Sequence, residues 1–294
     1  MIEISEFSKW YSGKILAVDK LNLSIDAGEI FGFIGPNGAG KTTTIRTLIG
    51  HLKASSGRVA LFEKDAWREG ANIRHRIGYL PGDLYLYKKV STRNLISYFD
   101  RLRGINTSAN SKLLSKRFDL DLDRPIGELS KGNRQKAGLL QALSHDSDLL
   151  ILDEPTTGLD PLLQQEFLDI ISQFRDQGRT VFLSSHLLDE VERVADRIGL
   201  IQDGRLARIG TVDELRAEAK QSIEIRFDQP VSSEEFLNLE GLSNLNIDGN
   251  TLKCVTIGSM DSLVKAAAKY TVTYIRSESQ DLEELFLDMY RKIN

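Results

Sequence analysis

The stretch GPNGAGKT, at residues 35–42, constrains this 294-residue chain more than any other part of its sequence. It matches the G-x-x-x-x-G-K-[ST] phosphate-binding loop, and it stands between the apolar run EIFGFIG and the helical pattern TIRTLIGHL. Glycines let successive backbone N–H groups point at phosphate oxygens, and the positive end of the following helix adds to the attraction. The order strand, loop, helix therefore predicts a P-loop rather than an ordinary glycine-rich turn.

The remaining patterns place this loop in an α/β core. Much of the first 35 residues alternates between polar and apolar side chains, which predicts an antiparallel β-subdomain. Helical segments separate further predicted strands, and this alternation predicts a mainly parallel sheet. Between about residues 84 and 145 several helices follow one another without a convincing strand, which indicates a helical insertion into the core. The further predicted strands are at 57–62, 77–80, 149–152 and 180–184.

The last part of the chain has a different character. The segments SIEIRF, TLKCVTIG and TVTYIRSES predict strands, and DGN at 248–250 predicts a tight turn. Helical patterns lie near 232–239, 259–269 and 281–292. The order strand, helix, two strands, helix, strand predicts a small ferredoxin-like α+β unit with a closing helix. We therefore expect two domains, at residues 1–218 and 219–294.

Composition excludes several classes of protein. The net charge of −4 gives no basic field that would attract nucleic acid or an acidic membrane surface. Cys254 is the single cysteine, so no internal disulfide framework exists. The N-terminus MIEISEFSKWY does not resemble a secretion signal, and no apolar run approaches the roughly 18–20 residues that span a bilayer. A role at a membrane therefore requires a membrane partner.

The stretch LLILDEP, residues 149–155, predicts a buried strand that ends in two carboxylates. An apolar strand with an acidic end can simply mark a surface loop, but beside a P-loop the catalytic interpretation is favoured. Asp153 is then a Mg²⁺ ligand, directly or through water, together with the hydroxyl of Thr42. Glu154 orients or deprotonates the attacking water, and Lys41 reaches the β- and γ-phosphates.

His186 ends another apolar strand, in the stretch SSHLLDEVERVAD. A single histidine is usually an ordinary surface or core residue. At the carboxyl end of a strand in an open α/β sheet, however, it lies where such folds bind ligands. The other histidines, His51, His75 and His145, show no spacing typical of a metal site.

Four stretches together resemble ABC-type ATPases, the nucleotide-binding subunits of ABC transporters. They are the P-loop, LSKGNRQK at 129–136, LLILDEPTTGLDP and SSHLLDEVE, in that family's order and spacing over residues 1 to about 215. The signature sequence LSKGN and the small C-terminal extension are most similar to those of the ATP-binding subunits of ABC-2-type exporters. The resemblance implies ATP and Mg²⁺ as cofactors, ATP hydrolysis, and ATP-driven dimerisation that powers transport.

The resemblance also implies individual roles. Tyr11 would stack on adenine, although an aromatic here could instead pack a β-hairpin, and Trp10 is a weaker candidate. Ser130 and Gly132 would close on the γ-phosphate held by the opposite subunit, Asp160 would link the two sites, and His186 would contact the γ-phosphate. The P-loop contacts to the nucleotide would come from Gly35, Pro36, Asn37, Gly38, Ala39, Gly40, Lys41, Thr42 and Thr43.

Because one chain would hold two halves of different nucleotide sites, the resemblance also implies partners. They are a second copy in a head-to-tail homodimer, or a related ATPase subunit, and an integral membrane permease that holds the chain at the cytoplasmic face. Nucleic acid is not expected. A soluble ABC-type ATPase without a transport role is the alternative. A nucleotide-dependent binding module without turnover is disfavoured, because Lys41 and Glu154 are both present.

The sequence departs from the family pattern in two segments. Gly82, followed by Asp83, stands where the family has a glutamine; Asp83 is either a replacement metal contact or a solvated turn residue. In the signature segment, Lys131 and Asn133 replace glycine and glutamine, but neither change removes a required donor, so we expect a working half-site. The aromatic segment Tyr85–Tyr87 either forms a groove for a helix of the permease or packs the insertion.

Overall fold

The structure is a computed structural model that describes residues 1–217, 220–237, 239 and 241–279. The chain forms two compact units, at residues 1–210 and 211–294. The domain boundary between residues 218 and 219 stays a prediction, and the closing helix expected at 281–292 lies outside the described residues. Among the described residues, no helix combines the length and the apolar character needed to cross a bilayer.

The first unit begins with β-structure and continues as an α/β domain. Its strands are β1 (Ile2–Tyr11), β2 (Ile15–Ile25), β3 (Ile30–Ile34), β4 (Ser56–Leu61), β5 (Lys64–Asp65), β6 (Ile77–Leu80), β7 (Leu149–Asp153), β8 (Thr180–Ser185), β9 (Arg197–Gln202) and β10 (Arg205–Thr211, whose last residue falls in the second unit). Its helices are α1 (Lys41–Leu48), α2 (Gly70–Ile73), α3 (Thr92–Arg103), α4 (Ser108–Arg117), α5 (Lys131–Leu143), α6 (Pro161–Asp176) and α7 (Leu188–Glu192).

Strands β1, β2, β4 and β5 form an antiparallel sheet in the order β2-β1-β4-β5. Ile2 and Ile4 are buried in β1 while Glu3 between them is exposed, which is the alternation of a half-buried strand. This sheet confirms the predicted antiparallel β-subdomain.

The second sheet has six strands in the order β10-β9-β3-β8-β7-β6. Strand β3 pairs in parallel with β8 and β9, and β7 pairs in parallel with β8 and β6. Every residue of β3, β7 and β8 is buried, as expected of a parallel sheet covered on both faces. Parallel pairing brings the carboxyl ends of these three strands to the same edge, which is the edge where the site forms.

Strand β9 was not among the predicted strands. Its centre is Gly199, which weakens a strand pattern in the sequence. In the structure the glycine is required by packing, because a Cβ there would lie 2.7 Å from Cζ of Phe31. The position that obscured the strand is therefore the position that lets β9 lie beside β3.

The predicted helical insertion is confirmed. Helices α3, α4 and α5 occupy the segment 84–145, all of which is described, and its β-structure is limited to an isolated bridge between Ser91 and Pro125. Ser91 also caps α3, since its Oγ accepts a hydrogen bond from the backbone N of Asn94.

The second unit has the predicted ferredoxin-like order. Its sheet runs β12-β13-β11-β14, and every pairing in it is antiparallel. The turn between β12 and β13 contains Gly249 with φ of 60°, which agrees with the turn predicted at 248–250. The elements are α8 (Val212–Ala217), β11 (Lys220–Phe227), α9 (Glu234–Leu237), β12 (Leu242–Asp248), β13 (Thr251–Ile257), α10 (Asp261–Ala267) and β14 (Val272–Ser279).

Candidate nucleotide site

Two glycines of the loop between β3 and α1 stand where a side chain would not fit. A Cβ on Gly35 would lie 2.2 Å from the carbonyl oxygen of Ile201. Gly40 has φ of 108°, a left-handed conformation that side chains disfavour, and a Cβ there would lie 2.7 Å from the carbonyl oxygen of Ala17. The glycines therefore let the chain turn tightly from strand to helix and leave the start of α1 free to face an anion.

Lys41 places a buried positive charge at this loop. It is the first residue of α1, and only 5% of it is exposed. Its Nζ donates hydrogen bonds to the carbonyl oxygens of Gly35 at 2.6 Å and Pro36 at 3.2 Å. It also lies 3.6 Å from Oε1 of Glu154. The lysine thus joins the phosphate-binding loop to the acidic end of β7.

Asp153 and Thr42 form a pair of oxygen ligands beside the loop. Thr42 Oγ1 donates to Asp153 Oδ2 at 2.9 Å, and the carboxylate is buried at the end of β7. Mg²⁺ prefers such hard oxygen ligands, and in nucleotide sites it takes few of them from protein because phosphates and water fill the rest. Among the described residues, no group of three or more His, Cys, Asp or Glu side chains could hold a metal ion by itself. This donor set therefore fits a Mg²⁺ that arrives with a nucleotide.

Glu154 connects residues from two other motifs. Its Oε2 lies 3.2 Å from Nδ1 of His186, while its Oε1 faces Lys41. Its backbone has φ of 49°, so the chain reverses sharply where β7 ends. The structure thus brings together Lys41, Glu154 and His186, which come from three separate stretches of the sequence.

The signature segment forms the start of α5. Ser130 caps this helix, because its Oγ accepts a hydrogen bond from the backbone N of Asn133 at 3.2 Å. Gly132 approaches the next loop closely, and a Cβ there would lie 2.9 Å from the carbonyl oxygen of Gly158. Lys131 and Asn133 leave the cap intact. The helix start that would face a phosphate is therefore formed.

Asp160 and Tyr11, two further predicted site residues, make local contacts. Asp160 caps α6, because its Oδ1 accepts a hydrogen bond from the backbone N of Leu163 at 3.1 Å. The Tyr11 hydroxyl lies 3.4 Å from Oγ1 of Thr43, near the start of α1, and Nζ of Lys9 lies 5.6 Å from the centre of the Tyr11 ring. The linking role of Asp160 and the adenine contact of Tyr11 stay predictions.

Gly82 lies against Asp153. A Cβ on Gly82 would be 3.2 Å from Asp153 Oδ2, so a side chain here would crowd the carboxylate. The neighbouring Asp83 is largely exposed, and its carboxylate lies 3.8 Å from Arg46. The metal contact suggested for Asp83 stays a prediction.

Two residues that the sequence did not single out also support the acidic end of β7. Ser184 Oγ donates to Asp153 Oδ1 at 2.5 Å. Gln135, on α5, donates from Nε2 to the carbonyl oxygen of Pro155 at 2.8 Å, and this hydrogen bond is buried. The sequence signal for Ser184 was a polar side chain inside the apolar strand that leads to His186.

Tyr79, on β6, adds a neutral neighbour to the carboxylate. Burial raises the pKa of its hydroxyl to about 12, and the charge of Asp153 acts in the same direction. Because the phenol stays protonated at neutral pH, it adds no further negative charge near Asp153.

This fold and this site define a P-loop nucleotide-binding protein of the α/β class with a β-subdomain and a helical insertion. Comparison with known proteins gives the family. A family model described as ABC transporter matches residues 18–157. The ABC transporter ATP-binding protein NatA of Bacillus subtilis (strain 168) is 34% identical over 236 residues, which cover 77% of this chain and 96% of NatA. The chain therefore belongs to the family of ABC transporter ATP-binding proteins, as its motifs predicted.

Other relatives agree with this assignment. The bacitracin transport ATP-binding protein BcrA of Bacillus licheniformis is 34% identical over 229 residues, covering 77% of this chain and 74% of BcrA. The chain spans only 41% of the longer YbhF of Escherichia coli (strain K12), a probable multidrug ABC transporter ATP-binding protein, at 35% identity over 244 residues and 81% of this chain. A solved structure of an ATP binding subunit of an ABC transporter has a TM-score of 0.69 at 27% identity, over 74% of this chain and 92% of that one.

Proposed function

We propose that this chain hydrolyses ATP to power a membrane exporter of the ABC-2 type. The observation that carries the proposed hydrolysis is the meeting of five side chains from three motifs at one edge of the parallel sheet, and the exporter type rests on the resemblance of the segment LSKGN and of the C-terminal extension. These side chains are Lys41, Thr42, Asp153, Glu154 and His186. Such a group can bind phosphates, hold a metal and activate water within one site.

Each side chain then has a role. Backbone N–H groups of the loop and the Lys41 ammonium bind the phosphates, and Thr42 and Asp153 hold Mg²⁺, which supplies neutralisation of the phosphate charge. Glu154 orients the attacking water and accepts its proton. His186 stands 3.2 Å from the Glu154 carboxylate, where it can hold that group in place and reach toward the γ-phosphate.

Hydrolysis in this proposal requires two chains. The start of α5, capped by Ser130, would complete the nucleotide site of a second copy arranged head to tail, or of a related ATPase subunit. Ser130→Arg tests this arrangement, because it places a long charged side chain at that helix start. We expect loss of cooperative hydrolysis with ATP binding to the same chain's loop retained. Wild-type hydrolysis by the Ser130→Arg variant would contradict the two-chain site.

A groove on the first unit is the proposed place for the permease. It encloses about 640 Å³, and its apolar lining includes Leu86, Phe99 and Leu102. Tyr85 and Tyr87 stand at this groove with 92% and 71% of their surface exposed. Exposed aromatic side chains beside an apolar groove are typical of a protein-binding surface. Through this contact the chain would lie at the cytoplasmic face of the membrane, and the name of the relative BcrA, a bacitracin transport ATP-binding protein, supports a role in transport.

Hydrolysis is tested by measuring phosphate release by the purified chain with and without Mg²⁺. We expect Mg²⁺-dependent turnover that Glu154→Gln lowers by about 10²–10⁴-fold, the usual contribution of a general base, while ATP still binds. The matched control is Glu3→Gln, on an exposed position of β1. Full turnover in Glu154→Gln would contradict the assigned base, and a wild-type chain that binds no nucleotide would contradict the function.

Transport coupling is tested by co-expression with a multi-span permease candidate. The double change Tyr85→Ala and Tyr87→Ala should abolish copurification and leave basal hydrolysis unchanged. The control is Trp67→Ala, because Trp67 is about half-exposed and is not among the residues that line the groove. Copurification that survives the double change would contradict the groove as docking site, and an unaltered ATPase rate with every permease candidate would favour the soluble alternative.

A further inference from the structure

Ser184 stands directly opposite Asp153 in the parallel sheet. The two residues are register partners at the carboxyl ends of β8 and β7, and Ser184 is completely buried. A buried hydroxyl needs hydrogen-bond partners, so the contacts of this side chain are informative.

The Ser184 hydroxyl has a defined direction. The backbone N–H of Glu154 donates to Ser184 Oγ at 3.3 Å and to the Ser184 carbonyl oxygen at 3.1 Å. An ionised carboxylate can only accept, so the hydroxyl proton of Ser184 points to Asp153 Oδ1, 2.5 Å away. One side chain thus contacts the carboxylate of one acidic residue and the backbone of the next.

The two oxygens of Asp153 have different partners. Oδ1 accepts from Ser184, and Oδ2 accepts from Thr42 at 2.9 Å. Among the described residues, these two hydroxyls are the side-chain donors to the carboxylate. Gly82, at the position where a longer side chain could have approached, contributes none. Because Ser184 holds Oδ1 of Asp153, Oδ2 stays directed at Thr42, which would bind the same metal ion.

We propose that Ser184 is a positioning residue for the metal site, an inference that rests on the function proposed above. Its hydroxyl holds the Asp153 carboxylate with Oδ2 toward Mg²⁺. It also accepts from the Glu154 N–H, together with the Ser184 carbonyl oxygen, at the turn with φ of 49° from which the Glu154 side chain reaches Lys41 and His186. Hydrogen bonds to a metal ligand commonly raise metal affinity by about 10–100-fold, so the effect is measurable.

A purely structural hydroxyl would have a different signature. It would lower the stability of the first unit when removed, but it would not change the Mg²⁺ concentration that the site requires. Metal affinity, measured without turnover, therefore separates the two roles.

The test is the binding of a fluorescent, non-hydrolysable ATP analogue by the full chain, titrated with Mg²⁺. Ser184→Ala should raise the Mg²⁺ concentration for half-maximal effect about 10-fold or more and leave analogue binding in EDTA unchanged. Ser184→Thr, which keeps the hydroxyl, should restore the wild-type curve. The control is Ser185→Ala, in the same strand, whose Oγ accepts from the backbone N of Leu187 at 2.9 Å and does not contact Asp153.

A wild-type Mg²⁺ curve in Ser184→Ala would overturn the inference, whatever happens to its melting temperature. If that variant does not fold, Ser184→Cys takes its place. The thiol is of similar size but is a weak donor, so we expect a shift in the same direction, and an unchanged curve would again overturn the inference. If the wild-type chain itself binds the analogue without any Mg²⁺ effect, the proposed function fails instead.

Discussion

Acid should destabilise the first unit through one buried histidine. His145 follows α5 and is 2% exposed. Its Nε2 lies 3.1 Å from the carbonyl oxygen of Ile77, so Nε2 carries the hydrogen, and its Nδ1 is buried without a hydrogen-bond partner. Burial, assisted by the nearby Arg103 charge, lowers the pKa of His145 to about 4, although Asp100 and Asp146 act in the opposite direction.

The sign and size of the effect follow from this pKa. In the unfolded chain His145 has the ordinary pKa of 6.5, whereas in the folded chain its pKa is about 4. The neutral imidazole therefore makes its full contribution to the free energy of unfolding above pH 6.5, and this contribution is lost as the pH falls from 6.5 toward 4. At pH 5 the loss is about 2 kcal/mol, with an upper limit of about 3 kcal/mol below pH 4.

Tryptophan fluorescence during urea unfolding measures this loss. Both tryptophans, Trp10 and Trp67, lie in the first unit, so the signal does not report on the second. His145→Gln can keep a donor toward Ile77 without a titrating ring. We expect the free energy of unfolding of the wild type, relative to this variant, to fall by about 2 kcal/mol between pH 7 and pH 5. The exposed control His75→Gln keeps His145 and should show the wild-type loss. Equal pH slopes for wild type and His145→Gln would refute the reasoning.

Three further predictions follow from buried groups. Gln135→Ala leaves the Pro155 carbonyl without its donor and should lower the stability of the first unit by about 1–3 kcal/mol in the same urea assay, whereas exposed Gln177→Ala should change it by less than about 0.5 kcal/mol. Burial raises the pKa of the Cys254 thiol to about 11, so maleimide at pH 8 should label it only when the second unit opens; immediate labelling of the native chain would contradict this. Gly35→Ala should abolish binding of the fluorescent ATP analogue, because its Cβ would lie 2.2 Å from the Ile201 carbonyl oxygen, and retained binding would show that the loop can relax.

Local sequence was sufficient to predict that three motifs lie at the same edge of the parallel sheet. The P-loop, the acidic strand end and His186 each follow an apolar strand, and parallel strands bring their carboxyl ends to one edge. Because that rule depends only on strand direction, the shared location of these three motifs follows from the sequence, whereas the individual contacts of Glu154 with Lys41 and His186 do not.

Contacts that depend on strand register or on distant residues could not be predicted from local sequence. Ser184 faces Asp153 because β7 and β8 pair with one particular register, which neither strand specifies alone. The direction of the Asp83 side chain depends on a turn that places Arg46 beside it. Strand β9 was missed because the need for glycine at position 199 comes from packing against the ring of Phe31, a residue far away in the sequence.

Gly82 has a consequence for communication within the first unit. It lies between Tyr79, beside Asp153, and the segment Leu84–Tyr87 at the proposed permease groove. A glycine has no side chain to push against the carboxylate of Asp153, so movement of the groove would reach the proposed metal ligand through this position only as displacement of the main chain. The path from partner to metal would then be mechanical, transmitted by a peptide segment rather than by a side chain that changes its hydrogen-bond partner.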